Sequence, residues 1–165
     1  MLERLILLRH AKAVREHEAP SDFERGLTER GFGDAAAAGA AIAALGWEID
    51  VALASPAART LQTLRTVAPD LSIGRMLTPA DLYLAEAATL FRAASSAVAS
   101  CVLIVAHNPG LHDLAIRLVT SSGLGGPQER KLLSGLPTSA WAAFTLSGST
   151  LEAPGARLAA IGMRD

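Results

Sequence analysis

Short apolar runs that stop at polar residues alternate along this chain with longer stretches of helical character. Residues 2–9 (LERLILLR) are apolar and short, which fits a buried strand, although periodicity alone leaves a short helix open. The polar residues 12–25, with Pro20, Ser21 and Asp22, read as a loop. Thr28 is placed to cap a helix through Ala44, with Gly46 near its C-terminal end. Residues 50–54 (DVALA) are a second apolar run. Ser55-Pro56 follows, which predicts an N-cap serine and a first-turn proline for a helix that runs to Ala68 and stops before Pro69.

The middle of the chain is less clearly patterned. Residues 71–83 hold a short run and the helix-start signal Thr78-Pro79, and residues 86–98 read as helix. Residues 100–106 (SCVLIVA) are the clearest buried strand, ended by His107-Asn108-Pro109-Gly110 and followed by a helix over 111–119. Residues 121–126 are a Gly- and Ser-rich loop, and the tail has β-like runs at 140–146 and 157–162, around Gly148 and Gly155. There is no internal repeat and no linker, so residues 1–165 are expected to form one domain. Strands alternating with helices predict an α/β, three-layer α/β/α sandwich with a largely parallel sheet. Such sheets bind ligands at the carboxyl ends of their strands.

Composition narrows the partners. Half the residues are hydrophobic, enough for a sizeable core. Lys and Arg number 15 against 16 Asp and Glu, for a net charge of −1, which gives no electrostatic case for a nucleic acid or a membrane surface. A single cysteine, Cys101, excludes an intrachain disulfide framework and a multi-Cys zinc site, and its apolar neighbours mark it as core. The most apolar long stretch, residues 35–45, is shorter than the roughly 20 residues of a membrane span. No leader pattern follows Met1, so a cytoplasmic location is expected.

Three apolar runs end in side chains unusual at such places: Arg9-His10, Ser55-Pro56 with Arg59 one turn on, and His107-Asn108. Parallel neighbours would bring these together. A lone His after a strand is ordinarily a satisfied loop residue, and an Arg in a first helical turn ordinarily faces solvent. Their joint occurrence at strand ends points to chemistry. Guanidinium groups match phosphate oxygens bidentately. A neutral imidazole attacks phosphorus. Phosphoryl transfer needs positioning and neutralised oxygens. The set therefore suggests a phosphatase or phosphomutase working through a phosphohistidine, with no metal and no cofactor.

Four blocks resemble the histidine phosphatase superfamily: Leu8-Arg9-His10-Ala11, with Ala where Gly is common; Leu27-Thr28-Glu29-Arg30-Gly31; Ser55-Pro56-Ala57-Ala58-Arg59-Thr60-Leu61-Gln62-Thr63; and Val105-Ala106-His107-Asn108-Pro109-Gly110. Their order and spacing agree over residues 5–118. The short length and the pairs Arg9-His10-Ala11-Lys12 and His107-Asn108-Pro109-Gly110 look most like the SixA-type phosphohistidine phosphatases. The resemblance implies a phosphoglycerate mutase-like fold with a mixed, mostly parallel sheet. It implies His10 as nucleophile, and Arg9, Arg59 and His107 as phosphoryl ligands.

For the general acid, the resemblance points to the region of Glu86, with Asp81 as a second candidate; a carboxylate at a helix start is also simply favourable. A phosphohistidine substrate would need no acid, because imidazole leaves more easily than alkoxide. Lys12, Arg25 and Asn108 are candidates for substrate binding, although Arg25 is read first as anchoring its loop on a carboxylate. His17 and His112 are read as non-catalytic, and His107 and His112 lack metal-ligand spacing. Gly123-Leu124-Gly125-Gly126 lacks the strand that a dinucleotide loop requires, and there is no Walker A sequence. The expected substrate is phosphohistidine on a protein. The rivals are a small phosphate ester and a phosphate-binding regulatory module with little turnover.

Overall fold

The computed structural model describes residues 1–121, 123 and 125–164. Two of the six residues in the expected 121–126 loop, residues 122 and 124, lie outside the described set, and residue 124 belongs also to the Gly123–Gly126 stretch. Six strands form one sheet: β1 (Arg4–Arg9), β2 (Ile49–Ala54), β3 (Ile73–Leu77), β4 (Cys101–Ala106), β5 (Trp141–Thr145) and β6 (Arg157–Gly162), in the order β3-β2-β4-β1-β5-β6. The β3-β2, β2-β4 and β4-β1 pairs are parallel, and β1-β5 and β5-β6 are antiparallel. The sheet is thus mixed and mostly parallel, with the crossover helices such pairing demands.

Among the described residues five α-helices cover both faces. Helices α1 (Glu29–Ala43) and α2 (Ala58–Val67) pack on the face that presents Ile6, Leu8, Ala52, Leu103 and Val105. Helices α3 (Ala87–Ser96), α4 (Gly110–Ser121) and α5 (Pro127–Ser134) pack on the face that presents Leu5, Leu7, Leu53, Val102 and Ile104. Alternation along β1 and β4 therefore feeds two cores, and both strands read as continuous apolar runs because both faces are buried.

Local signals explain most boundaries. The Thr28 hydroxyl accepts from Gly31 N at 3.0 Å and starts α1, whose C-cap is Ala44. Helix α2 departs from expectation: its N-cap is Ala57, with no side-chain bond, and Pro56 lies outside it. The Ser55 hydroxyl accepts from Ala57 N at 3.3 Å but also meets His107, so it serves the sheet edge rather than the helix. Helix α5 carries no apolar signal, since Leu132 alone among its residues is buried. Among the described residues no helix is long and apolar enough to cross a membrane.

Candidate active site

Parallel pairing sets the site. Arg9 lies beside Ala106 and Ala54 beside Val105, so β1, β2 and β4 end at one level. The backbone then locks the ends together, with His10 N donating to Ala106 O at 3.2 Å and Ser55 N to Val105 O at 3.1 Å. Beyond them lies a cleft of about 280 Å3 lined by Arg9, His10, Lys12, Ala13, Arg25, Arg59, Leu84, His107, Asn108 and Thr138. Four of these side chains are cationic and none is a carboxylate.

His10 is 8% exposed. Its Nδ1 lies 2.8 Å from Ala11 O. A carbonyl only accepts, so Nδ1 carries the proton and Nε2 the lone pair. Burial, with Arg59, His107 and Arg9 nearby, lowers the pKa of His10 to about 3, against a raising effect of the Ala11 bond. His107 is 2% exposed, and burial followed by Arg59 lowers its pKa to about 4, while Asp22 opposes the fall. The two rings stand 5.4 Å apart at 56°. His107 Nε2 is 2.7 Å from Ser55 Oγ, and its buried Nδ1 has no protein partner. With the hydroxyl donating to Nε2, Nδ1 bears a proton available to an incoming oxygen.

The guanidinium groups are held from the outside. Arg9 Nη1 donates to Leu136 O at 3.1 Å, and Asn108 Nδ2 donates to the same carbonyl at 2.8 Å. Arg59 is 3% exposed and donates from Nη1 to Asp22 O at 2.8 Å and from Nη2 to Asp22 Oδ2 at 3.1 Å. The Nε groups of Arg9 and Arg59 and Asn108 Oδ1 are buried without protein partners. Burial and the proximity of Arg59 push the Arg9 pKa below its ordinary value. An anion between the two cations relieves that repulsion and uses their free N–H groups.

Arg25 faces the cleft and its own loop at once. It lines the cleft, and it anchors its loop through Nη1 to Asp22 Oδ1 at 2.9 Å and Nε to Val14 O at 2.8 Å. Lys12 and Asn108 are also at the cleft. Glu86 is not: it is the exposed N-cap of α3, outside the lining. Asp81 lies on a separate cavity with Leu53, Leu77 and Arg92. The structure therefore does not join either carboxylate to the histidines and arginines.

Three participants escaped the sequence reading. Asp22 takes bonds from Arg25, Arg59 and the Tyr83 hydroxyl, the last at 2.5 Å. Tyr83 meets His107 edge-on at 5.7 Å and Phe23 edge-on at 5.1 Å. The Leu136 carbonyl, just beyond α5, orients Arg9 and Asn108. Apart from the Arg25–Asp22 pair, these contacts span 24 to 127 residues and leave no local pattern. Among the described residues no group of three or more His, Cys, Asp or Glu is arranged to hold a metal ion.

Known proteins share this fold. The family model of the histidine phosphatase superfamily (branch 1) matches residues 5–82. The fold superposes on a protein described as the phosphohistidine phosphatase SixA of Agrobacterium tumefaciens with a TM-score of 0.83, 26% identity and 99% of both chains covered. Its counterpart from Nakamurella multipartitia gives 0.85 at 26% identity, over 98% of this chain and 95% of that one. A protein histidine phosphatase SixA solved with tungstate shares the fold at 0.76 and 23% identity, over 96% of this chain and 95% of that one. A chloroplastic protein of Arabidopsis thaliana is 39% identical over 64 residues, 39% of this chain and 29% of its own length. A superfamily model over the segment that carries Arg9, His10 and Arg59, and a fold shared end to end with SixA proteins, make this chain similar to histidine phosphatase superfamily proteins of the SixA type.

Proposed function

We propose that the chain is a phosphatase that passes through a phosphohistidine on His10 and acts on phosphohistidine carried by a protein. The observation that carries this reading is the fixed tautomer of His10, with Nδ1–H on Ala11 O and the Nε2 lone pair at a cleft lined by Arg9, Arg59 and His107. In the first step Nε2 attacks phosphorus in line. The bond from phosphorus to the leaving group breaks, and the leaving group keeps the electron pair. Arg9, Arg59 and His107 Nδ1 hold the three oxygens, whose charge is what this kind of reaction must balance. In the second step the oxygen of a water molecule forms the new bond to phosphorus. The P–Nε2 bond breaks, phosphate leaves and Nε2 regains its lone pair. The arginines supply the positive charge, and the reading assigns no metal.

The substrate class follows from the leaving group. The lining holds no carboxylate to protonate an alkoxide. A phosphohistidine protonated on its second nitrogen departs as neutral imidazole and needs no such acid. Phe23 and Leu84 are exposed beside the site, an apolar rim suited to a protein surface. SixA is described as a phosphohistidine phosphatase in the relatives of this fold, and one was solved with tungstate, an oxyanion of phosphate shape.

The decisive assay compares wild type with His10→Ala on a phosphohistidine protein and on an aryl phosphate, with a chelator control. Phosphate release should vanish in the variant and persist with the chelator. Turnover that survives His10→Ala would sink the nucleophile. A companion variant, Glu86→Gln, should leave phosphohistidine hydrolysis unchanged; a drop would favour a phosphate-ester enzyme that uses this carboxylate as its acid.

A further inference from the structure

We infer that Asp22 is a positioning residue that grips Arg59 end-on and aims the other edge of its guanidinium at the phosphoryl group. The inference rests on the phosphatase reading above. Arg59 turns both terminal nitrogens to one residue, Nη1 to the Asp22 carbonyl and Nη2 to its carboxylate. A guanidinium carries five N–H groups in a rigid fork. This grip uses two of them, and Nε–H, buried and without a protein partner, remains on the side edge with the second Nη2–H. That edge is a bidentate fork for two phosphoryl oxygens.

Asp22 is itself fixed from both sides of the cleft. Oδ1 receives Arg25, and Oδ2 receives Arg59 and the Tyr83 hydroxyl. These donors, the Tyr83 bond first, hold its carboxyl well below the usual carboxylate range, so it stays ionised and cannot serve as the acid. It lies between two cleft-lining guanidinium groups that would otherwise repel. Tyr83 ties this arrangement to His107 through their edge-on contact. One carboxylate thus sets the relative positions of Arg59, Arg25 and the segment that flanks His107.

Asp22→Asn separates aim from charge. Loss of the negative charge leaves the cleft more positive, so ground-state binding of tungstate should be retained or tightened. Loss of aim should lower kcat on an aryl phosphate by roughly tenfold to a hundredfold, the range that misplaced catalytic groups produce. Tyr83→Phe removes only the hydroxyl that orients the carboxylate and should show the same split in smaller measure, which covers the case in which Asp22→Asn does not fold. In the background of Arg59→Lys, whose ammonium offers no fork, Asp22→Asn should have no further effect on kcat. Unchanged kcat in both Asp22→Asn and Tyr83→Phe, or full additivity with Arg59→Lys, overturns the positioning role while leaving the phosphatase reading intact. A wild type that neither binds tungstate nor releases phosphate overturns the site and the positioning role together.

Discussion

His10 owes its fixed tautomer to one backbone bond and its neutral ring to burial, and the burial leaves a signature in stability. Its folded pKa of about 3 and that of His107, about 4, lie below the unfolded value of about 6.5. Between those limits the unfolded chain binds more protons than the folded one. The stability from keeping both rings neutral is therefore complete above about pH 6.5 and falls as pH drops toward 4. The slope reaches at most about 1.4 kcal/mol per pH unit for each ring. Urea midpoints measured at pH 7 and pH 5 should show the loss, and His107→Asn should flatten it; an equal slope in the variant would contradict the assignment. These two rings, with Arg9, were legible because a polar residue closing a buried strand is conspicuous in one dimension, and Arg59 because it follows such a strand end by one helical turn. Asp22 and Tyr83 were not. Each is an ordinary surface type in its own segment, and only their bond across 61 residues makes them part of the site.

At the scale of elements, the site depends on how closely α4 can start beneath His107. The residue that opens this helix is Gly110, and a Cβ placed there would fall 1.8 Å from the Ala85 carbonyl and 3.2 Å from Glu86 Cα. Backbone, unlike a side-chain tip, cannot swing aside. Gly110→Ala should therefore displace the 85–86 segment or the helix start, at a cost of about 1–3 kcal/mol, the usual range for overpacking. Thermal melting should show the loss, and phosphatase activity should fall with it, since Leu84 and His107 flank the contact. A melting point equal to wild type would contradict the close approach. Strand and helix signals served well where an element is amphipathic or buried on both faces. They failed at α5, whose sequence (PQERKLLS) offers one buried position, and they were weak at β3, an edge strand exposed over all but Ile73. Ser55-Pro56 misled for another reason: a serine before a proline fits an N-cap, but its hydroxyl had a stronger claimant in His107.

At the scale of the whole molecule, the central strands make the two cores one. Leu5 and Ile6 are neighbours on β1, both fully buried, and they point into opposite cores. Neither helical layer can leave without stripping one face of the strands that carry Arg9, His10 and His107. Leu5→Ala and Ile6→Ala should each cost about 2–5 kcal/mol, the range for a large aliphatic side chain cut back in a core. More tellingly, each should lower a single transition. Far-UV circular dichroism reports the helices, and tryptophan fluorescence reports Trp141, in the core beside α1 and α2, and Trp47, partly buried against that same core. If the layers are coupled through the sheet, the two probes coincide in both variants. In Leu5→Ala the damage lies on the face away from both tryptophans, so coincidence there tests the coupling most sharply. A fluorescence transition that lagged behind the dichroism in that variant would mean that the α1–α2 layer holds without the other. The strand ends that carry the cleft residues would then rest on one core alone.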